Sequence, residues 1–202
     1  DGRGVKLVVI ACNTLTVLGV DTLKGSHAFE IVGMSKGAQL VLAASSRKKI
    51  GVFATEFTIN SGAHKAAILA ADDGADVYPQ ACPKFVPLIE GEQFDGAEVR
   101  AAVAEYAAPL KAAGIDTLIL SCTHYPFIQK EIESEFGSEV TVIDPADATA
   151  QDTKTVLAAE GLLRSEGAGT LEVCFTADVE RGARIAGRVL PQGKCLFKEI
   201  KL

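Results

Sequence analysis

Two short apolar runs that each lead into a cysteine constrain this sequence more than any other feature. The first is LVVIACNT at positions 7–14, and the second is LILSCTH at positions 118–124. A continuous apolar run is typical of a strand that is buried on both faces of a parallel sheet. Because open α/β sheets bind ligands outside the carboxyl ends of their strands, we expect Cys12 and Cys122 to lie at a functional site.

A buried cysteine often serves only as a small apolar side chain, and this alternative applies to each cysteine taken alone. Packing, however, does not require the small polar residues that follow both cysteines. Asn13, Thr14 and Thr123 favour helix N-caps, and the N-terminus of a helix stabilises a thiolate. The repeated arrangement therefore predicts that Cys12 and Cys122 are reactive thiols.

Apolar runs alternate with helical patterns along the rest of the chain. Further strands are predicted near positions 28–32, 50–54, 75–78, 140–143 and 171–175. Residues 81–91 contain two prolines and are expected to form a loop. The alternation predicts an α/β fold with two similar lobes, each a largely parallel sheet flanked by helices, and an active site in the cleft between them. We expect residues 1–34 and 146–202 to form the first lobe and residues 35–145 the second.

The composition limits the kinds of molecule that the protein is expected to bind. A formal charge of −6 and a sequence pI near 5.1 argue against binding to nucleic acid, and the sequence has no tryptophan for a base-stacking surface. No apolar run approaches the ~20 residues that a membrane-spanning helix needs. The five cysteines show no CxxC spacing and no secretory signal pattern is present, which favours reduced thiols and a cytoplasmic location.

Two thiols on opposite sides of a cleft suit a reaction that removes a proton from one face of a carbon atom and returns one to the other face. One thiolate then acts as the general base and the opposite thiol as the general acid. A free thiol has a pKa of about 8.5, so a modest shift produces thiolate near neutral pH. No phosphate-binding loop, dinucleotide fingerprint or zinc ribbon is present, and the residues alone do not identify the substrate.

Two further patterns each have a structural and a functional interpretation. Thr55, Thr58 and Ser61 follow a predicted strand at three-residue spacing, so they either cap a helix or hydrogen-bond a carboxylate at its N-terminus. Glu90 follows an apolar patch, where it is either an ordinary surface glutamate or a partly buried one with a raised pKa. The residues leave both choices open.

Several segments resemble those of the bacterial glutamate racemase family. Three of its signatures are matched in the right order by IACNT at 10–14, by ACP at 81–83 with VPLIE at 86–90, and by SCTHYP at 121–126. The segment at 51–61 and IDP at 143–145 are also similar. The resemblance extends over nearly the whole chain, is weakest after about position 163, and is most specific in the Cys-Thr-His-Tyr-Pro run.

This resemblance implies that L- and D-glutamate are interconverted without a cofactor or metal, which supplies D-glutamate for peptidoglycan. It implies that Cys12 and Cys122 are the catalytic acid/base pair, with Glu90 and His124 near Cys122 to tune its proton transfers. The residues implied to bind the substrate are Asn13, Thr14, Thr55, Thr58, Thr123 and His124. Glutamate is thus the expected small-molecule partner. A homodimer of this chain is considered as the oligomeric state. Pyridoxal phosphate is not expected, because no lysine lies in a Gly/Ser-rich strand-end context.

Some features depart from the family pattern. Ser121 stands where glycine or alanine is usual and His64 where tyrosine is common, and we expect minor consequences. The Asp-Ser-Gly and Pro-Tyr-Gly segments of the family do not occur before Cys12. Since residue 1 is not methionine, we expect an incomplete first lobe, with an open sheet edge and exposed apolar surface beside Val8 and Ile10.

Three other functions stay open from the residues. Cys122 and His124 would serve a Cys/His hydrolase, although residues two apart on one turn rarely align as nucleophile and base. Cys12, Cys122 and His124 would together bind zinc. A two-lobed small-molecule binding protein is the alternative outside enzymes.

Overall fold

The computed structural model of the protein describes residues 4–167, 169–190 and 195–201. The chain divides into two compact units, Asp1–Leu163 and Arg164–Leu202. The two lobes expected from the sequence divide the chain differently and stay a prediction. No helix in the described ranges is long and apolar enough to cross a membrane.

The larger unit alternates strands with helices. Its strands are β1 (Leu7–Ile10), β2 (Glu30–Gly33), β3 (Lys49–Ala54), β4 (Asp76–Ala81), β5 (Thr117–Ser121) and β6 (Thr141–Ile143). Its helices are α1 (Asn13–Leu23), α2 (Ala38–Ala44), α3 (Glu56–Asn60), α4 (Ala63–Ala71), α5 (Phe85–Glu90), α6 (Ala97–Ala113), α7 (Gln129–Phe136) and α8 (Ala146–Ala159). Two short 3₁₀ helices flank α7, at Tyr125–Ile128 and Gly137–Glu139. All the strand pairings described are parallel, which confirms the predicted α/β class.

The central sheet has the strand order β4-β3-β5-β6, and β1 pairs with β2 in a separate sheet. The inner strands of the central sheet, β3 and β5, are buried, which is typical of continuous apolar runs. One face packs against α5, α6 and α7, and the other packs against α2 and α4. From β3 the chain passes to β4, which lies on one side of β3, and then crosses to β5, which lies on the opposite side of β3. The point where the strand order reverses therefore lies at the carboxyl ends of β3 and β5, where such sheets bind ligands.

An aromatic cluster holds α5 against this sheet. The Phe85 ring lies edge-on to three other rings, with centroid distances of 5.8 Å to Phe53, 5.2 Å to Tyr106 and 5.1 Å to Tyr125. Such edge-to-face pairs add stability beyond the area that they bury. Because α5 ends in Glu90 and Tyr125 begins the 3₁₀ helix after β5, the cluster fixes both elements relative to the sheet.

Asp116 ties the turn after α2 to the amino end of β5. Its carboxylate accepts hydrogen bonds from the hydroxyls of Ser45 at 2.5 Å and Ser46 at 3.2 Å, and from the backbone N–H of Arg47 at 2.7 Å. Burial alone would raise the pKa of Asp116, but these hydrogen bonds together hold it below its ordinary value. The ionised carboxylate is thus part of the folded structure.

The smaller unit contains β7 (Leu171–Phe175), α9 (Val179–Ala186) and β8 (Cys195–Glu199). The two strands pair in parallel, and the rings of Phe175 and Phe197 stack with centroids 6.3 Å apart. Asp178 caps α9 by accepting a hydrogen bond from the backbone N–H of Arg181 at 3.3 Å. The sequence predicted β7 but not β8.

Two prolines lie inside helices, Pro87 in α5 and Pro109 in α6. Residues 81–91 are not a loop throughout, because α5 occupies Phe85–Glu90. Pro87 lies in the first turn of α5, where a missing N–H costs no internal hydrogen bond. Pro109 does not end α6, which continues to Ala113 and keeps its apolar face buried.

The predicted helix after Cys12 is present, but it buries a different face. Leu15, Leu18 and Leu23, which follow Cys12 at helical spacing, are 53%, 62% and 42% exposed. The residues that α1 buries are Asn13, Thr16 and Val20. Apolar spacing therefore located the helix but not the side that faces the protein.

Candidate active site

Three of the predicted site residues follow directly on the carboxyl ends of strands. Cys12 comes two residues after β1, Thr55 one residue after β3, and Cys122 one residue after β5. The register of β3 and β5 pairs Ala54 with Ser121, so Thr55 and Cys122 continue two neighbouring strands at the same edge. Thr14, two residues beyond Cys12, has its hydroxyl oxygen 2.9 Å from that of Thr55. The chain segments that carry the two cysteines therefore meet at this edge of the sheet.

Cys12 is itself the N-cap residue of α1. Its backbone is extended (φ −152°, ψ 119°), and its carbonyl oxygen accepts a hydrogen bond from the N–H of Thr16 at 2.9 Å. The predicted side-chain caps by Asn13 and Thr14 are not formed, because both residues already belong to the helix. The thiol is partly exposed and lies at the helix end whose first N–H groups have no partner within the helix.

Asn13 carries an unused donor next to this thiol. The residue is 3% exposed, and its side-chain nitrogen has no hydrogen-bond partner among the residues that the structure describes. A buried donor without a partner costs free energy. A ligand acceptor at this position would remove that cost.

Cys122 lies deeper, and its thiol is harder to ionise than the sequence suggested. Burial raises its pKa, the backbone N–H groups of His124 and Tyr125 lower it, and the nearby Cys12 raises it again. The net direction is upward, so the expected stabilisation of a thiolate is wrong for Cys122 in the free protein. Desolvation of a charged sulfur outweighs the two backbone donors. Thr123, the other predicted cap, is exposed and makes no capping hydrogen bond.

His124 connects Cys122 to Glu90. Its Nδ1 lies 3.9 Å from the Cys122 sulfur, so two residues on one turn do align here, contrary to the argument from their spacing. Its Nε2 lies 2.7 Å from Glu90 Oε1. Because a carboxylate accepts hydrogen bonds, Nε2 donates to Glu90, and Nδ1 is the ring nitrogen that faces the thiol. The three side chains form a continuous path for a proton.

Three threonine hydroxyls from two helices meet beside the cysteines. Thr14 Oγ1 lies 2.9 Å from Thr55 Oγ1 and 3.2 Å from Thr58 Oγ1, and Thr55 Oγ1 donates to Thr58 Oγ1 at 3.0 Å. Thr55 also caps α3, because its Oγ1 accepts from the backbone N–H of Thr58 at 3.4 Å. The capping interpretation of this pattern is confirmed, and binding of a carboxylate stays a prediction.

Cys82 is a neighbour of the site that sequence reasoning left without a role. It is fully buried; burial raises its pKa most, and the nearby Cys122 raises it further. Its carbonyl oxygen accepts a hydrogen bond from the Tyr125 hydroxyl at 3.3 Å. The signal that could have found it is the same strand-then-cysteine order, since Cys82 directly follows β4.

The zinc site considered from the sequence is not assembled. Within residues 4–167, 169–190 and 195–201, no group of three or more His, Cys, Asp or Glu side chains is placed to hold a metal ion. Cys12, Cys122 and His124 therefore do not form such a group, although the last two lie close together.

Known proteins are similar over most of the chain. Residues 2–153 match the model of the Asp/Glu/hydantoin racemase family. The chain is 38% identical over 204 residues to a glutamate racemase of Lysinibacillus sphaericus strain C3-41, which covers 100% of this chain and 77% of that protein. It is also 38% identical over 181 residues to a glutamate racemase of Chlorobaculum parvum, which covers 89% and 66% of the two chains.

Solved structures share the fold. Glutamate racemase isoform RacE1 of Bacillus anthracis matches with a TM-score of 0.87 and 31% identity, over 98% of this chain and 74% of that one. A glutamate racemase of Francisella tularensis, solved in complex with D-glutamate, matches with a TM-score of 0.84 and 26% identity, over 100% and 74% of the two chains. The architecture that carries the two cysteines is thus shared with both.

Proposed function

The chain belongs to the Asp/Glu/hydantoin racemase family, and we propose that it interconverts L- and D-glutamate. One observation supports the proposal most directly: Thr14, two residues beyond Cys12, lies 2.9 Å from Thr55 between hydroxyl oxygens, and Thr55 continues the strand beside the one that ends at Cys122. Similar proteins are named glutamate racemase, and one of them is solved with D-glutamate. We extend that substrate to this chain, which makes the protein an isomerase.

In the proposed reaction one cysteine thiolate removes the α-proton of glutamate, and the opposite thiol donates its proton to the other face of the same carbon. Each turnover exchanges the protonation states of Cys12 and Cys122, and the reverse direction restores them. No bond to sulfur forms and no electron is transferred, so both cysteines stay reduced. Both proton-transfer groups in this proposal are side chains of the chain itself.

The substrate carboxylates need donors, and several lie beside the cysteines. We assign them to the hydroxyl of Thr14, which Thr55 holds at 2.9 Å, and to the side-chain amide of Asn13, which has no partner among the described residues. Thr123 and His124 follow Cys122 and would contact the remaining polar groups of glutamate. Thr58 is only 1% exposed, so direct contact with a substrate is less favourable there.

His124 and Glu90 are proposed to make Cys122 a usable base. Burial raises the pKa of Cys122, so its proton needs an acceptor before the thiolate can react. His124 Nδ1 at 3.9 Å is that acceptor, and Glu90 at 2.7 Å from Nε2 would stabilise the imidazolium that forms. Glu90 thus acts through His124 rather than on the substrate.

We further propose that the D-glutamate formed is used for peptidoglycan and that the enzyme works in the cytoplasm, where thiols stay reduced. The division into lobes of residues 1–34 with 146–202 and of residues 35–145, and the homodimer, are proposals of the same standing. The family membership supports the lobes and the use of D-glutamate, and the cysteine usage supports the cytoplasmic location.

Solvent exchange tests the proposal. The protein is incubated with L-glutamate in deuterium oxide, D-glutamate is followed by chiral chromatography, and deuterium at the α-carbon is followed by NMR. We expect D-glutamate that carries one deuterium from solvent at this carbon. A protein that binds glutamate but produces neither D-glutamate nor α-deuteration is a binding protein, and the proposed function is then wrong.

The path from Cys122 through His124 to Glu90 also favours a second candidate, a thiol hydrolase. Nucleophile, base and orienting carboxylate follow in this order in such enzymes. A hydrolase would form a thioester at Cys122 from an ester or amide of glutamate and would not exchange the α-proton. Mass spectrometry of the protein mixed with such an ester would detect the acylated cysteine.

A further inference from the structure

Thr58 is the least accessible member of the threonine cluster and contacts both of the others. It is 1% exposed, whereas Thr14 and Thr55 are partly exposed. Its Oγ1 lies 3.2 Å from Thr14 Oγ1 and 3.0 Å from Thr55 Oγ1. The Thr58 hydroxyl therefore contacts the two more exposed hydroxyls from the buried side of the cluster.

The cluster joins α1, which begins beside Cys12, to the end of β3, the strand next to the one that leads into Cys122. Thr14 belongs to α1, two residues beyond Cys12, and Thr55 extends β3 at the position next to Cys122 in the parallel register. In the part of the chain that the structure describes, the hydrogen bonds between α1 and α3 run through Thr14. A change in this cluster would therefore alter how α1, and with it Cys12, lies against the central sheet.

The direction of the hydrogen bonds adds a second effect. Thr55 donates its proton to Thr58 Oγ1, which leaves the Thr58 proton for Thr14 Oγ1. Thr14 then accepts from Thr58 and keeps its own proton for Thr55 or for a ligand. Because each hydroxyl has a single proton, the Thr58 hydroxyl decides which outer hydroxyl can donate to an anion.

We propose that Thr58 is a positioning residue that does not touch the substrate but sets the spacing of Cys12 and Cys122 and the donor direction of Thr14. The kinetic part of this inference rests on the proposed racemase function. The spacing of the two sulfur atoms is independent of that function and can be measured by itself.

The first test compares Thr58→Val, Thr58→Ser and Thr117→Val. Valine keeps the shape and removes the hydroxyl, and serine restores it. Thr117 is a matched control, because it is a fully buried threonine of β5 whose hydroxyl has no partner among the described residues. We expect Thr58→Val to lower kcat roughly fivefold to tenfold with KM nearly unchanged, the loss of about one hydrogen bond in the transition state. Thr58→Ser should recover most of the lost kcat, and Thr117→Val should retain the wild-type kcat.

The primary isotope effect with α-deuterated glutamate should rise in Thr58→Val and not in Thr117→Val, because misplaced thiols slow proton transfer itself. A tenfold rise in KM with unchanged kcat would show that Thr58 binds the substrate directly and would overturn the proposal. Identical kinetics in Thr58→Val and Thr117→Val would overturn it as well.

The second test does not depend on activity. In a Cys174→Ser/Cys195→Ser background, dibromobimane is added and the fluorescence of the doubly reacted product is followed. We expect bridging of Cys12 and Cys122 to slow severalfold in Thr58→Val relative to Thr117→Val. Equal rates would refute the positioning role even in an active racemase. If the bridging rates differ but the protein makes no D-glutamate, the positioning role of Thr58 stands and the proposed racemase function is refuted.

Discussion

His64 makes the stability of the protein sensitive to mild acid. It is 3% exposed, and neither ring nitrogen has a hydrogen-bond partner among the described residues. Burial, and to a smaller extent the charge of Lys36, lowers the pKa of His64 from 6.5 to about 4. The folded protein therefore keeps a neutral imidazole at a pH where the unfolded chain already binds a proton.

The sign and size of the effect follow from this difference. Between pH 6.5 and about pH 4 the unfolded state binds a proton that the folded state does not, so the free energy of unfolding falls as the pH falls. At 1.36 kcal/mol for each pKa unit, the full loss is about 3 kcal/mol, and about 2.5 kcal/mol of it is reached by pH 4.5. Domains have a total stability of about 5–15 kcal/mol, so the loss from this single side chain is a large fraction of the total stability.

Replacement of His64 with phenylalanine removes the titrating group and retains a ring. An adjacent cavity of about 50 Å³, which His64 lines, accommodates the slightly larger side chain. Unfolding in urea can be followed by tyrosine fluorescence at pH 7.5 and 4.5, since the sequence has three tyrosines, all in the larger unit, and no tryptophan. We expect His64→Phe to lose about 2.5 kcal/mol less than the wild type between the two pH values. At pH 7.5 it should be at least as stable, because no hydrogen bond is lost.

His27 provides the control for this experiment, because it is exposed. We expect His27→Gln to show the wild-type difference between pH 7.5 and 4.5. If His64→Phe also showed the wild-type difference, the buried neutral imidazole would not be the source of the acid sensitivity. A large loss of stability at pH 7.5 would instead show that the ring nitrogens make an essential contact.

Three further predictions concern the site and the fold. Cys12→Ala and Cys122→Ala should each lower the turnover of glutamate by about 10²–10⁴-fold, while Cys174→Ala should not; a variant of the first pair with more than about a tenth of wild-type turnover would lose its acid/base assignment. Glu90→Gln should reduce kcat roughly tenfold or more with little change in KM, since it removes a charged hydrogen-bond partner, and an unchanged kcat would contradict the proposed path. Asp116→Asn should lower the free energy of unfolding in urea by about 1–3 kcal/mol, and undiminished stability would show that its three hydrogen bonds contribute little.

The strands of the central sheet could be predicted because of what a parallel sheet requires. Every residue of β5 is buried, and a strand covered by helices on both faces has to be apolar along its length. The same argument placed Cys122 at the carboxyl end of a strand, and the order of the strands then brought Thr55 beside it. The location of the site thus follows from apolar runs and chain topology together.

The burial of the site side chains and the contacts between them could not be predicted in this way. Glu90 and His124 are 34 positions apart, and their contact depends on how α5 packs on the sheet. Their proximity was implied by resemblance to a family and not by any spacing in the sequence. The pKa of Cys122 depends on burial, and the same strand-end pattern occurs at the partly exposed Cys12. Local pattern alone therefore predicted a reactive thiol where the free protein holds a protonated one.

The difference between the two cysteines bears directly on the mechanism. The strand–cysteine units look alike in sequence, but Cys122 is buried and has His124 within 3.9 Å, whereas Cys12 is partly exposed at the start of α1. A thiol that needs a histidine to accept its proton and one that borders solvent do not reach the thiolate by the same route. Racemisation still needs each to serve as base in one direction. Because the two enantiomers have equal free energies, kcat/KM must be the same in both directions, so loss of Glu90 or His124 should lower kcat/KM equally for L- and D-glutamate. The difference between the two cysteines can then appear only in kcat and KM taken separately.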